Sequence, residues 1–87
     1  MDLNGTRRKI DEIDSELLGL FLRRMGLVRS VADYKREHGL ETFQPERERE
    51  ILARVKQNTP PELAGYSRAF FEAILSEARR MQEELRG

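Results

Sequence analysis

The sequence predicts an all-α domain of three helices, long, short and long, that pairs with a second copy of itself. Charged residues make up 37% of the 87 residues, with three Pro and six Gly, a composition that suits long amphipathic helices better than sheets. The first Pro is Pro45, and before it apolar residues recur every three or four positions. A helix of that length, about 50 Å, exceeds the width of a compact chain of this size, so a partner must cover its apolar stripe.

The first helix is predicted from Leu3 to His38, where no Pro interrupts the apolar periodicity. Gly39 is its natural stop, because glycine readily adopts the left-handed conformation that ends helices. The apolar stretch from Leu40 to Phe43 is too short to found a sheet and is interpreted as a loop.

The second helix is predicted to begin at Pro45, since proline favours the first helical position. Glu46 and Glu48 would face the positive end of its dipole, and it would run to about Gln57. Residues 58–61 (Asn-Thr-Pro-Pro) break the pattern, and a third helix is predicted over residues 62–85.

Composition excludes several classes of function. The chain has no Cys, which removes disulfides, thiolate metal sites and thiol nucleophiles, so we expect neither a metal nor a redox cofactor. Sixteen basic residues balance sixteen acidic ones, which gives no reason to bind nucleic acid. No stretch approaches the roughly 18 apolar residues of a membrane span, and the first residues lack the apolar core of a secretory signal. We therefore expect one cytoplasmic domain over residues 1–87.

Charged residues interrupt the apolar stripe of the first helix. An unpaired buried charge costs several kcal/mol, so each needs a partner or an anionic ligand. Those near the helix ends can reach water, but Arg24 lies mid-helix between Phe21 and Val28. Alternatively, Arg24 could form an interior salt bridge, for example to Asp14 of a partner chain. The stripe consists of Arg7, Ile10, Asp14, Leu17, Phe21, Arg24, Val28, Val31 and Lys35.

Helix geometry relates these cations to one another. Arg24 and Lys35 are about 16 Å apart along the axis, so their long side chains can converge on one small ligand. Arg7 lies about 25 Å from Arg24 on the other side and could join that site only from an antiparallel partner. The residues thus predict a dimer with two composite sites for a small carboxylate-bearing molecule. Elsewhere, an Arg47-Glu48 pair borders the second helix's apolar face, and Gln82 flanks the third, where a glutamine is usually solvated.

An ordered set of residues across nearly the whole chain resembles the all-helical chorismate mutases. The resemblance implies an intertwined homodimer that rearranges chorismate to prephenate, in phenylalanine and tyrosine biosynthesis, without a cofactor. The set comprises Arg7, Ile10-Asp11, Ile13-Asp14, Leu17-Leu18, Arg23-Arg24-Met25, Val31-Ala32, Lys35, Pro45-x-Arg47-Glu48 and Gln82.

The resemblance also implies roles for these residues. Arg24 and the partner's Arg7 would hold the substrate carboxylates. Glu48 would accept a hydrogen bond from the ring hydroxyl, and Arg47 would support the carboxylate contacts and order Glu48.

The ether oxygen would receive two donors. Lys35 would bridge it to a carboxylate, and Gln82 would give the second hydrogen bond. Two positions depart from the family's pattern. Ala78 stands where a Ser is common, and Gln44 stands where an Asp is frequent. We expect position 44 to contact the substrate through its backbone.

Two other interpretations stay open. An isochorismate-pyruvate lyase of the same fold would share the cations and the glutamine, but lyases have an apolar residue where this chain has Glu48. A non-catalytic helical dimer, or a regulatory domain of an aromatic-pathway enzyme, would use the same cations as internal ion pairs. In either case the chain could be fused to, or associate with, another enzyme of the pathway.

Overall fold

A computed structural model describes residues 1–86, which are almost entirely helical and contain no strand. Helix α1 spans Leu3–Glu37, α2 spans Pro45–Gln57, and α3 spans Ala64–Arg86. A single 3₁₀ turn, Pro61–Leu63, precedes α3. The predicted all-α class and the long, short, long order are confirmed.

Helix α1 ends one residue before the predicted position, in a turn that depends on Gly39. This glycine has a φ of +65°, in the left-handed region that other residues rarely adopt. The Leu40 N–H then bonds the Lys35 carbonyl at 2.8 Å, and the Gly39 N–H bonds the Arg36 carbonyl at 3.4 Å. This is the Schellman arrangement, and it turns the loop of residues 38–44 back along α1.

Helix α2 has the predicted bounds and complementary charges at both ends. Pro45 occupies its first turn with two glutamates, and Arg54 and Lys56 lie in its last turn. At its end the Asn58 amide donates to the Arg54 carbonyl at 2.9 Å, and the Thr59 hydroxyl donates to the Val55 carbonyl at 2.7 Å. These side chains add to the Asn58 N–H, which also donates to both carbonyls at the end of the helix.

The third helical segment differs slightly from the prediction of one helix over residues 62–85. Its start is a 3₁₀ turn in which the Leu63 N–H bonds the Pro60 carbonyl at 2.9 Å. Because Pro61 has no N–H and a fixed φ, it suits this tighter first turn. The α-helical part then begins at Ala64 and continues to Arg86.

Helix α3 packs against both α1 and α2, and the buried residues lie mainly on it. Within residues 1–86 few side chains are buried, and none is enclosed completely. Two of them, Thr42 and Gln82, are polar. The buried residues are Ala32, Thr42, Leu75, Ala78 and Gln82.

Most of the apolar stripe of α1 is uncovered in the single chain. The described chain extends 54 Å along its longest axis, and its radius of gyration is 16.0 Å. A compact chain of this length has a radius of gyration of about 12 Å. No helix within residues 1–86 is both long and apolar enough to cross a membrane. The exposed apolar residues of α1 include Ile10, Ile13, Leu17, Leu18, Leu20, Leu22, Leu27 and Val31.

Candidate active site

Lys35 lies in the last turn of α1, where the loop of residues 38–44 folds over it. Its ammonium donates to the Thr42 carbonyl at 2.8 Å and to Gln82 Oε1 at 3.0 Å. Burial and, next, the nearby Arg86 guanidinium lower the pKa of Lys35 below its ordinary value of 10.5, while Glu48 opposes that change. An ammonium has three N–H donors, so one remains for a ligand.

Gln82 is buried, with 6% of its surface exposed, although its position on the flank of α3 suggested a solvated side chain. Its Oε1 accepts from Lys35, and its Nε2 donates to the Ala78 carbonyl at 3.2 Å. The amide nitrogen carries two N–H groups, so one stays available beside the free donor of Lys35. Helix α3 thus places the neutral amide of Gln82 next to the cationic ammonium of Lys35 on α1.

Glu48 lies close enough to Lys35 to influence its pKa, and its side chain is 19% exposed. Its Oε1 accepts a hydrogen bond from the Arg79 guanidinium on α3. Arg79 also lies over the Phe43 ring, 5.4 Å from the ring centroid. The contact that orders Glu48 in this structure is therefore made by Arg79, whereas Arg47 pairs with Glu50 at 2.5 Å.

Arg24 and Arg47 line one cavity of about 480 Å³ between the three helices. Nη1 of Arg24 is buried and has no hydrogen-bond partner within residues 1–86. Such a group is costly unless a ligand or another chain satisfies it. The remaining lining is mixed, polar and apolar: Ile51, Arg54, Val55, Asn58, Thr59, Ser67 and Phe71.

The other two candidate residues lie apart from these groups. Arg7 is exposed near the start of α1 and makes no ion pair with another described residue. Gln44 precedes α2, where its carbonyl accepts from the Glu48 N–H at 3.1 Å and its amide donates to the Glu41 carbonyl at 2.7 Å. Within one chain, then, Lys35, Gln82 and Glu48 form one group and Arg24 and Arg47 another.

Three residues around the site were not predicted from the sequence. Thr42 supplies a carbonyl to Lys35, Arg86 lies close to Lys35 and donates to the Leu40 carbonyl, and Arg79 holds Glu48. Arg79 lies one turn from Gln82 on the same helix flank, so that spacing was a usable signal. The roles of Thr42 and Arg86 depend on how the loop folds, for which the sequence carries no short-range signal.

The arrangement can bind and polarise a small anion without a nucleophile. It offers guanidinium groups beside apolar walls, together with an ammonium and an amide that are hydrogen-bonded to each other and each keep one N–H without a partner. No cluster of three or more His, Asp or Glu that could hold a metal ion occurs in the described part of the chain. Fold and site together define an all-helical domain whose cationic and hydrogen-bonding side chains lie at and beside the cavities between its helices.

The chain belongs to the chorismate mutase type II family, whose model matches residues 6–83. It is 38% identical to a T-protein of Haemophilus influenzae over 82 residues, which is 94% of this chain and 20% of that protein. It is also 41% identical to a chorismate mutase of Methanocaldococcus jannaschii over 51 residues, 59% of this chain and 52% of that one. A T-protein of Enterobacter agglomerans is 36% identical over 67 residues, 71% of the chain and 18% of the protein. The chain therefore spans between about a fifth and a half of these relatives.

Proposed function

We propose that this chain catalyses the rearrangement of chorismate to prephenate. The observation that carries the proposal is the hydrogen bond between Lys35 and the buried Gln82, which leaves one ammonium N–H and one amide N–H without a partner among the described residues. In this rearrangement a carbon–oxygen bond breaks while a carbon–carbon bond forms within one molecule. The oxygen gains negative charge as its bond breaks, so two fixed donors aimed at it lower the barrier.

The second requirement of the reaction is a compact substrate conformation, because the two carbons that join must first come together. Arg24 supports this role, since its buried Nη1 has no partner among the described residues and its side chain lines a cavity with Arg47. Guanidinium groups bind carboxylates with two parallel hydrogen bonds, which sets orientation as well as affinity. Chorismate carries two carboxylates, so two such clamps fix its shape.

The proposal includes a homodimer in which the partner's Arg7 completes the site. A second cavity, of about 440 Å³, is almost wholly apolar and combines α1 residues such as Leu17 and Phe21 with Phe70 of α3. A second copy of this chain would cover that groove and the exposed stripe of α1. Its antiparallel α1 would bring an additional guanidinium to the carboxylates.

Glu48 favours a mutase over an isochorismate-pyruvate lyase. A carboxylate accepts a hydrogen bond from a ring hydroxyl, and one of the two oxygens of Glu48 remains free beside Lys35. The non-catalytic interpretation requires Arg24 and Lys35 to serve as internal ion pairs. Neither forms an ion pair within residues 1–86. Association with another aromatic-pathway enzyme stays a prediction.

The test is to mix the purified protein with chorismate, and separately with isochorismate, and to identify the products. The proposal expects prephenate from chorismate and no pyruvate above the uncatalysed background from either compound. Pyruvate from isochorismate at a higher kcat/KM would assign the lyase activity instead. If the protein is folded and dimeric but forms no product from either compound, the non-catalytic dimer is the interpretation that remains.

A further inference from the structure

One ion pair among the described residues differs in position from the others. Within residues 1–86, every other salt bridge joins side chains three or four positions apart in one helix, with both partners about half exposed or more. The exception joins Glu48 on α2 to Arg79 on α3, where the two side chains are 19% and 36% exposed. Exposed ion pairs within one helix contribute little to stability, whereas a partly buried pair between two helices fixes the position of one helix relative to the other.

Arg79 is held from two directions. Its guanidinium donates to Glu48 Oε1 and also lies over the Phe43 ring, which belongs to the loop before α2. With Leu52 and Leu75 the pair borders a cavity of about 320 Å³. This cation–π contact and the hydrogen bond to Glu48 together restrict the position of the guanidinium.

We propose that Arg79 is a positioning residue for Glu48. By holding Oε1, it directs the other carboxylate oxygen toward the substrate and leaves that oxygen free to accept the ring hydroxyl. A free glutamate side chain samples several rotamers and loses that freedom when substrate binds. Arg79 removes this cost before binding, which is preorganisation of the acceptor. This inference rests on the proposed function, because it assigns Glu48 to the substrate hydroxyl.

The experiment compares Arg79→Met with a matched control, Arg80→Met. Arg80 is the next residue on α3 and forms only surface pairs with Glu77 and Glu84. Because the hydroxyl contact is made in the ground state and in the transition state, Arg79→Met should raise KM for chorismate about tenfold with a smaller change in kcat. Arg79→Lys keeps the charge without the fork and should give an intermediate KM. Arg80→Met should stay within about twofold of wild type.

A second comparison separates positioning from general stability. In a Glu48→Gln background, Arg79→Met should cause little further loss, because the group that it positions is already replaced. If Arg79→Met melts below the assay temperature, Phe43→Leu is the alternative, since Phe43 is 53% exposed. Removing the ring should raise KM about two- to fivefold, which corresponds to the free energy of an exposed cation–π contact.

The two proposals fail in different ways. Wild-type protein that forms no prephenate overturns the mutase assignment, whatever the variants do. Active wild-type protein whose KM is unchanged by Arg79→Met overturns the positioning role alone. An equal loss from Arg79→Met with and without Glu48 also overturns it, since the arginine would then act through something else.

Discussion

Lys35 is the residue on which the proposed chemistry depends most. Removing a donor from an electrostatic site usually costs about 10²- to 10³-fold in rate. We predict that Lys35→Ala lowers kcat for chorismate at least that much, because a cation and its free donor are lost together. The measurement is steady-state turnover, with circular dichroism and sedimentation to verify that the variant remains folded and assembled. Lys56→Ala, an exposed lysine in the last turn of α2, is the control. Near wild-type turnover by Lys35→Ala would refute the assignment.

The pH profile should reflect the two donors. The Gln82 amide does not titrate, so kcat should change little between about pH 5 and pH 8 as far as that residue is concerned. Burial and Arg86 lower the pKa of Lys35 in the free protein, so kcat/KM should fall at alkaline pH below the ordinary lysine value of 10.5. A bound dianion favours the charged ammonium, so the fall in kcat should come at higher pH.

The measurement is kcat and kcat/KM across pH 5–11, with melting curves at each pH to exclude unfolding. A fall of kcat/KM at or above 10.5 would contradict the predicted environment of Lys35. A steep loss of kcat between about pH 5 and pH 8 would contradict a neutral donor at position 82.

The residues of the candidate site could be recognised in the sequence to different degrees. Arg24 and Lys35 stand out because they interrupt an apolar stripe, and their helix spacing follows from chain geometry alone. Gln82 has no such signal, since its burial depends on Lys35 and on a loop that folds over both. The spacing of Arg79 from Gln82 on one helix flank was a usable signal, but its role was missed because its partner Glu48 is 31 positions away on another helix.

At the scale of the helices, the turn after α1 positions the loop that carries the Thr42 carbonyl. We predict that Gly39→Ala destabilises the protein by about 1 kcal/mol, because the φ of +65° is unfavourable for a residue with a Cβ. Gly39→Asn should cost less, since asparagine tolerates the left-handed region better. Chemical denaturation of the three proteins measures the difference.

An unchanged midpoint for Gly39→Ala would show that the turn relaxes without strain. The kinetic consequence is a separate measurement. If the turn shifts, Lys35 loses its Thr42 contact, and kcat for chorismate should decrease by more than the Gly39→Asn variant shows.

Helix limits were predictable to within a residue or two because they have local causes. Gly39 ends α1 and Pro45 begins α2, each through its own backbone preference. The start of the third segment was less clear, because a Pro-Pro pair is compatible with either a 3₁₀ turn or a delayed α-helix. How α3 packs on the other two helices depends on long-range contacts, which periodicity alone does not specify.

At the scale of the whole molecule, the single chain leaves apolar side chains of α1 exposed, which supports the proposal that two copies form the functional unit. Ile10 is 50% exposed, Val31 47% and Leu17 43%, and all three lie on the stripe of α1 that should be buried. Apolar burial contributes about 25 cal/mol for each Å², so covering this stripe with a second copy is strongly favourable. The sequence alone led to the same expectation from the length of α1, because that length exceeds what one small chain can cover.

A shared site makes a prediction that a merely dimeric protein does not. If each site combines Lys35 of one chain with Arg7 of the other, mixing inactive Arg7→Ala and Lys35→Ala proteins should restore activity. In the mixed dimer, the Arg7→Ala chain keeps its own Lys35 and receives an intact Arg7 from its partner. Half of randomly exchanged dimers are mixed, and each has one intact site, so about a quarter of wild-type activity should return.

The control for this exchange mixes Lys35→Ala with Gln82→Ala. Those two side chains are hydrogen-bonded within one chain, so no mixed dimer contains an intact site and activity should stay low. Exchange itself is verified by the mass of dimers formed between tagged and untagged chains. If exchange is complete and the Arg7→Ala mixture stays as inactive as the control, Arg7 does not serve the partner's site. If both mixtures regain activity, Lys35 and Gln82 come from different chains. Recovery in the first mixture alone requires two copies of the chain in every working site.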